Sequence, residues 1–121
     1  MAFEHRPLED RDREVVAQLV QAGDASGCIR NVQHKGRFQA NASARLFARE
    51  AEVLGYHFEL REHSVHESGD GQWIVEFARL QAADLSSVQR HTKILSALAS
   101  KHGGQYLGWA TQPVRLQRSL R

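Results

Sequence analysis

The spacing of apolar residues divides the chain into three segments of helical periodicity and four shorter segments of alternation. Apolar side chains that recur every three or four residues form one face of a helix, whereas strict alternation is typical of a half-buried strand. The pattern predicts helices at residues 7–22, 42–54 and 85–102. It predicts strands at residues 28–33, 56–61, 72–79 and 105–111.

The second and third predicted helices carry apolar stripes preceded by capping residues. The stripe of the third helix consists of Leu85, Val88, Thr92, Leu95 and either Leu98 or Ala99. The stripe of the second consists of Ala44, Phe47, Ala51 and Leu54. A side-chain oxygen before a helix can accept a hydrogen bond from the first turn, so we expect Asp84 or Ser86 to cap the third helix and Asn41 or Ser43 the second.

The order of these elements predicts an α+β fold. After the first helix the chain runs strand-helix-strand-strand-helix-strand, the ferredoxin-like βαββαβ arrangement, with an antiparallel sheet and two helices on one face. In this arrangement the first and last strands are neighbours, and the hairpin closes the other edge. Residues 34–37 are read as a polar connection and residues 66–71 as the hairpin turn. We expect an extra N-terminal helix (residues 1–24) to dock on a core domain (25–113), which a flexible basic tail follows (114–121).

Glycine and aromatic residues are concentrated where the third helix gives way to the last strand. Gly103 and Gly104 are expected to stop the helix, since glycine accepts the left-handed backbone found there. Gly108 inside the strand is expected to make room for a ring, with Trp109 packed beneath a helix. Simple alternation places Tyr106 and Trp109 on opposite faces of the sheet, so at most one of them would be covered by the two core helices.

Composition indicates one soluble globular domain. The 121 residues suffice for a single core, and 41% hydrophobic and 25% charged residues are ordinary values. The longest apolar runs fall far short of the roughly 20 residues that cross a bilayer. The N-terminus lacks an apolar signal region, and Cys28 is the only cysteine, so an internal disulfide is excluded. These features favour a cytoplasmic protein in which Cys28 is a buried small hydrophobic residue.

The net charge of +2 conceals blocks of opposite sign. Residues 25–49 and 85–121 contain bases and no acid, whereas residues 50–84 contain eight acids and two bases. In the predicted fold the basic blocks hold the first and last strands and the acidic block holds the hairpin. The domain is therefore expected to be electrically polarised across its sheet, which matters for the choice of partner.

These blocks suggest three kinds of partner. A basic protein would meet the acidic hairpin, with Tyr106 and Trp109 positioning the contact; the acids are Glu59, Glu62, Glu67, Asp70 and Glu76. Alternatively, RNA phosphates would meet the basic side, which contains Arg30, Lys35, Arg37, Arg115, Arg118 and Arg121. The first strand lacks the stacking rings typical of RNA-binding sheets. A homodimer would pair sheet edges of opposite charge.

Enzymatic chemistry has weak support. His57, His63 and His66 lie among glutamates, but neither closing metal ligands nor a matched nucleophile accompanies them. No glycine-rich loop follows a strand in the pattern that binds phosphates. We therefore expect no catalytic residues, no metal and no cofactor.

Several short motifs occur together in one order. They are Leu54-Gly55-Tyr56 at a helix-to-strand junction, Ala83-Asp84-Leu85 at the start of the last helix, and Leu98-Ala99 with Lys101 followed by Tyr106, Gly108, Trp109 and Thr111. His34 lies ahead of the second helix. With these motifs, over about residues 28–112, the chain resembles the bacterial regulator of ribonuclease E activity B family.

This resemblance implies a cytoplasmic, non-enzymatic protein with a ferredoxin-like fold. It implies binding to ribonuclease E, on its regulatory region outside the catalytic centre, and modulation of RNA turnover, with inhibition favoured over activation. The family's well-known members are acidic and have an acidic C-terminal tail, whereas residues 115–121 here are basic. The acidic hairpin is therefore the segment expected to meet a basic region of the target.

Overall fold

The computed structural model describes residues 7–58 and 64–115. Their helices are α1 (Leu8–Gln21), α2 (Asn41–Val53) and α3 (Leu85–Lys101). Their strands are β1 (Arg30–Phe38), β2 (Val65–Glu67), β3 (Trp73–Gln81) and β4 (Gln105–Ala110). The strands form one antiparallel sheet in the order β2-β3-β1-β4. The predicted α+β class is confirmed, and the last strand lies beside the first.

The two faces of the sheet have different environments. Along β1, Val32, His34 and Phe38 are buried, whereas Gln33 and Lys35 are exposed. Helices α2 and α3 pack on the buried side. We call the opposite side the open face; on the two central strands its residues are Asn31, Gln33, Lys35, Arg37, Ile74, Glu76, Ala78 and Leu80.

Aromatic and aliphatic side chains fill the space between the sheet and its two covering helices. The Phe38 and Phe47 ring centroids are 4.8 Å apart, and the Phe47 and Phe77 centroids are 5.4 Å apart. Leu95 of α3 is fully buried beside them. Burying one such side chain contributes about 1.5–3 kcal/mol, so this cluster stabilises the contact of α2 and α3 with the sheet.

The predicted helices agree with the observed ones to within about one residue at each end. Asp84 caps α3, since its carboxylate accepts hydrogen bonds from the Ser87 amide (3.1 Å) and hydroxyl (2.7 Å). The predicted cap of α2 is wrong, because Ala40 occupies the cap position without a side-chain hydrogen bond. Of the predicted stripe of α3, Val88, Thr92, Leu95 and Ala99 are buried, whereas Leu85 is partly buried.

The first strand lies further along the chain than its apolar pattern predicts. It begins at Arg30 and continues to Phe38, so the supposed connection at residues 34–37 is in fact strand. The prediction fails because two positions of the buried face are occupied by His34 and Gly36, which lack the large apolar side chains expected there. The buried imidazole of His34 is satisfied by hydrogen bonds instead of by water.

The hairpin is antiparallel, as predicted, but its first strand is misplaced. Residues 59–61 of the predicted strand 56–61 lie outside the described residues. Of residues 56–58, only His57 pairs with β3, through an isolated bridge to Ala78. The pairing strand is β2, opposite the start of β3. Alternation at residues 56–58 therefore reflects the burial of Tyr56 against α2 and α3 and not a continuous ladder.

A β-bulge in β4 corrects the predicted placement of its aromatic residues. Gly36 pairs with Tyr106 and Lys35 pairs with Gly108, which leaves Leu107 as the extra residue. One extra residue reverses the alternation downstream. Trp109 consequently pairs with His34 and lies on the same side of the sheet as Tyr106, contrary to the expectation of opposite faces.

Of the three glycines around the start of β4, Gly103 has its predicted role, whereas Gly104 and Gly108 do not. Gly103 ends α3 with a φ of +72°, as expected. At Gly104, an added Cβ would collide with the Phe38 ring and the Arg37 carbonyl oxygen. Gly108 has no atom within 4 Å of such a Cβ; its φ of +136°, beside the bulge, is what requires glycine. Room for a ring is therefore needed at Gly104 and not at Gly108.

Replacing Gly104 with alanine should destabilise the protein. The new methyl group would overlap the Phe38 ring, and overpacking of this kind costs about 1–3 kcal/mol. Gly27→Ala is the matched control, because its Cβ would have no neighbour within 4 Å and no positive φ is involved. Urea unfolding followed by tryptophan fluorescence measures both. Equal stability of the two variants would contradict the packing role of Gly104.

Candidate partner-binding site

The hairpin turn presents two acidic side chains to solvent. Glu67 and Asp70 are both exposed. The Asp70 carboxylate accepts hydrogen bonds from the Ser68 hydroxyl (2.5 Å) and from the Gln72 amide (3.0 Å), and the Ser68 amide donates to the Gln72 carbonyl (2.9 Å). These three bonds give the turn a defined shape. We call Glu67 and Asp70, with the turn between them, the acidic turn.

Asp70 carries its negative charge at neutral pH. The hydrogen bond from Ser68, followed by that from the Gln72 amide, lowers the pKa of the Asp70 carboxyl below its usual value. The turn therefore holds a fixed, exposed carboxylate that a cationic surface could approach. Two other predicted acids, Glu59 and Glu62, lie outside the described residues.

Glu76 belongs to a different surface. It lies on the open face in the centre of the sheet, directly opposite Lys35 on the neighbouring strand. The His66 imidazole is 3.6 Å from its carboxylate, and the Glu76 side chain is half exposed. The acids predicted as one patch are thus divided between the acidic turn and the open face.

Tyr106 and Trp109 make contacts within the protein, and Trp109 also lines the groove on the sheet. Tyr106 is buried, and its hydroxyl donates to Nδ1 of His34 over 2.8 Å. Trp109 is partly buried and packs against the Leu19, Ala83 and Val88 cluster between α1 and α3. Burial raises the pKa of the Tyr106 hydroxyl well above its usual value, so this group stays protonated.

His34 joins the three neighbouring strands of the sheet. Because the Gln81 amide oxygen can only accept, Nε2 of His34 donates to it over 3.0 Å, and Nδ1 accepts from Tyr106. The ring also stacks on Phe77, with centroids 5.3 Å apart. Burial lowers the pKa of His34 to about 4, so the imidazole is neutral at physiological pH.

A buried carboxylate attaches α1 to β4. Asp12 accepts a hydrogen bond from Nε1 of Trp109 over 2.8 Å, and Arg11 donates to the Leu107 carbonyl oxygen over 3.2 Å. Asp12 is only 2% exposed, and burial raises the pKa of its carboxyl although the Trp109 bond lowers it. The helix is thus held to the bulge of β4 by polar contacts as well as by apolar packing.

A groove of about 590 Å³ crosses the open face. Its wall at the β4 side comes from α1, through Leu8, Arg11 and Val15. Its floor follows β4, β1 and β3 and contains small residues, among them Gly108, Ala110 and Ala78. His57 lies at the far side. The volume is in the range of ligand-binding clefts, about 300–1,000 Å³.

Comparison with known proteins identifies the family of this chain. Residues 9–111 match the family model described as Regulator of ribonuclease activity B. A relative named Regulator of ribonuclease activity B, from Photobacterium profundum, is 28% identical over 108 residues, which cover 85% of this chain and 78% of the relative. The chain belongs to the regulator of ribonuclease activity B family. The resemblance seen in its sequence motifs is confirmed.

The match to the regulator of ribonuclease activity B family begins earlier than the motifs suggested. They covered about residues 28–112, whereas the family model starts at residue 9 and so includes α1. The structure supplies a physical link, because Arg11 and Asp12 of α1 contact β4. Their role was missed in the sequence. A signal was present, since Asp12 falls in the stripe of Leu8, Val15 and Leu19, where an apolar residue is expected.

One of the motifs on which the sequence resemblance rested, Leu54-Gly55-Tyr56, lies at the end of α2 and contacts Arg79. The Arg79 guanidinium donates to the Leu54 carbonyl oxygen over 2.6 Å and lies 5.1 Å from the centroid of the Tyr56 ring. Gly55 has a φ of +104°, and a Cβ there would collide with the same guanidinium. The motif therefore has a structural function in this chain.

The predicted basic residues do not form one surface. Arg30 is buried and ion-paired with Asp24 at 3.0 Å, so it is unavailable to phosphate. Lys35 and Arg37 lie on the open face, whereas Arg115 donates to the Ala22 carbonyl oxygen near the end of α1. Arg118 and Arg121 lie outside the described residues. Among the described open-face positions of the four strands there is no Phe, Tyr or Trp on which a base could stack.

Two other kinds of feature are absent from the described residues. Within residues 7–58 and 64–115 there is no group of three His, Cys, Asp or Glu side chains that could hold a metal ion. Nor does this part of the chain contain a helix with the length and apolar character needed to cross a membrane.

The free energy of unfolding should fall on acidification because the His34 imidazole is buried and neutral. Its folded-state pKa is about 4, whereas an unfolded histidine has a pKa of about 6.5. As the pH falls from 6.5 towards 4, the unfolded chain binds a proton that the folded chain does not, so the folded state loses stability. We expect this group to lower the free energy of unfolding by roughly 3 kcal/mol across that window.

The comparison uses His34→Gln, which cannot titrate. Urea unfolding of both proteins from pH 7 to pH 4 should show the stability advantage of the wild type shrinking on acidification. An advantage that is constant with pH would contradict a neutral, buried His34. An NMR titration of the wild-type imidazole measures the same pKa directly.

Proposed function

We propose that this chain is a cytoplasmic, non-enzymatic regulator of RNA turnover that binds ribonuclease E and inhibits it through protein contacts. The observation that carries the proposal is the match of residues 9–111 to the Regulator of ribonuclease activity B family. It is supported by the same name in the Photobacterium relative. The neighbouring positions of β4 and β1, with β2 at an edge, support a ferredoxin-like classification of the fold.

The acidic turn is the proposed contact with ribonuclease E. Glu67 and Asp70 are exposed, the turn is held by hydrogen bonds, and Asp70 is ionised at neutral pH. A fixed negative surface accelerates association with a basic region of a partner and selects against acidic ones. Because these charges are exposed to solvent, salt screens them, and we expect the binding to weaken as the salt concentration rises.

Charge removal at the turn tests this contact. Asp70→Asn keeps an oxygen that can accept from the Gln72 amide and the Ser68 hydroxyl but removes the charge. Combined with Glu67→Lys, it should weaken binding to the purified regulatory region of ribonuclease E at least tenfold. Biolayer interferometry at two salt concentrations measures the affinity, and cleavage of a model RNA measures inhibition.

Glu9→Lys is the matched control, because Glu9 is an exposed acid on α1, away from the turn. It should leave the affinity within a factor of two. A wild-type chain that neither binds ribonuclease E at low salt nor slows its cleavage of RNA would overturn the proposed function. Normal binding by the turn variant would instead move the contact to another surface. Cleavage of RNA by the chain alone would contradict the non-enzymatic part of the proposal.

A further inference from the structure

We propose that the open face is the interface of a two-fold homodimer, in which the sheets of two copies stack face to face. The proposal rests on the charge and shape of this face and is independent of ribonuclease binding. Antiparallel sheets often leave one face uncovered, and two such faces pack about 10 Å apart with nearly aligned strands. Here β1 and β3 lie at the centre of the sheet and bear the exposed residues that would meet.

The register of the two central strands makes the face complementary to itself. Lys35 of β1 is directly opposite Glu76 of β3. Consider a two-fold axis that is parallel to the strands and lies midway between the two stacked sheets, above the line that separates β1 from β3. Rotation about this axis lays β1 of one copy over β3 of the other. Lys35 then faces Glu76 of the second copy, and the reverse contact forms at the same time. Four charges of alternating sign meet at the axis.

The same operation also matches side chains by size at one neighbouring pair. Gln33 pairs with Ala78 across the strands, so the axis places the longer side chain of one copy over the short one of the other. Ala78 also forms the floor of the groove, whose volume of about 590 Å³ gives the entering side chains room. Leu80, which is 65% exposed, and Ile74 add apolar area to the face, and the axis lays them over the aliphatic parts of Asn31 and Arg37 of the second copy.

The β4 edge of the sheet is a poorer place for self-association than its face. The charge blocks of the sequence suggested edge-to-edge pairing, but α1 contacts β4 through Arg11, and Asp12 of the same helix accepts from Trp109 of that strand. At the β2 edge, the described residues contribute a strand of three residues. The structure therefore moves the predicted homodimer contact from the edges to the open face.

The size of the face sets the expected strength. Its strands contain 27 residues, and each covers roughly 16 Å² of the sheet plane at about 4.8 Å by 3.3 Å. With the corrugation of side chains, two copies would bury on the order of 1,000 Å², the lower end for specific interfaces. The dimer should consequently dissociate on dilution and should weaken with salt.

Charge exchange across the axis is the decisive experiment. Sedimentation velocity of the full chain, over micromolar to millimolar concentrations, should show a monomer–dimer equilibrium. Lys35→Glu and Glu76→Lys should each weaken dimerisation at least tenfold, because like charges then meet at the axis. The double variant restores alternating signs and should recover dimerisation to within a few-fold of the wild type. Recovery would also exclude misfolding as the cause of the single effects.

Lys93→Glu is the matched control, since Lys93 is exposed on α3, which covers the other face of the sheet. It should leave dimerisation unchanged. A wild type that is monomeric at every concentration in low salt would overturn the proposal, as would a dimer that tolerates both single variants or a double variant that stays monomeric. Ribonuclease E binding by monomeric Lys35→Glu, measured in parallel, keeps a failure of the dimer distinct from a failure of the proposed function.

Discussion

A polar side chain at the centre of the buried face holds this sheet in register. His34 of β1 accepts a hydrogen bond from Tyr106 of β4 and donates one to Gln81 of β3, so a single imidazole connects three neighbouring strands. A shift of β1 by one residue would bring Lys35 into the core and place His34 in solvent. The buried imidazole costs desolvation, which its two hydrogen bonds offset. In return it specifies one register.

The bulge in β4 follows from the same constraint. For Tyr106 to reach His34 and for Trp109 to pack on α1 and α3, both rings must lie on the covered side, although three positions separate them in the sequence. The extra residue Leu107 makes this possible. Because Trp109 then needs a partner for its indole N–H, Asp12 is buried with it, and α1 becomes part of the domain. The helix is held through the bulge that the central histidine requires.

This chain of dependence explains which parts of the fold could be predicted. The helices were located well because their stripes, the Asp84 cap and the terminal Gly103 are local signals. Strand β1 was placed wrongly because His34 and Gly36 interrupt its apolar alternation; the partners of His34 lie in other strands, and a Cβ at Gly36 would approach the Phe38 ring. The bulge leaves no local trace beyond Gly108. Steric need at Gly104 depends on Phe38, which is distant in sequence, so pattern alone assigned the close approach to the wrong glycine.

The charge blocks of the sequence likewise do not predict which surface each charged side chain occupies. Sequence blocks correctly separate acids from bases, but strand alternation divides each block among faces. Arg30 is buried with Asp24, Glu76 lies opposite Lys35, and Asp70 remains outside the sheet in the turn. Within these candidate surfaces, the charges on the open face are of mixed sign, whereas Glu67 and Asp70 at the turn are acidic. A mixed surface can complement its own copy, whereas an acidic one requires a basic partner. The two surfaces adjoin, because, after the hydrogen bond from Ser68, Arg37 of the open face also contributes to lowering the pKa of the Asp70 carboxyl. The two proposed contacts nevertheless use different residues, Lys35 and Glu76 for the dimer and Glu67 and Asp70 for the basic partner, so a dimer carrying two turns would engage that partner with the gain in avidity that linked sites provide.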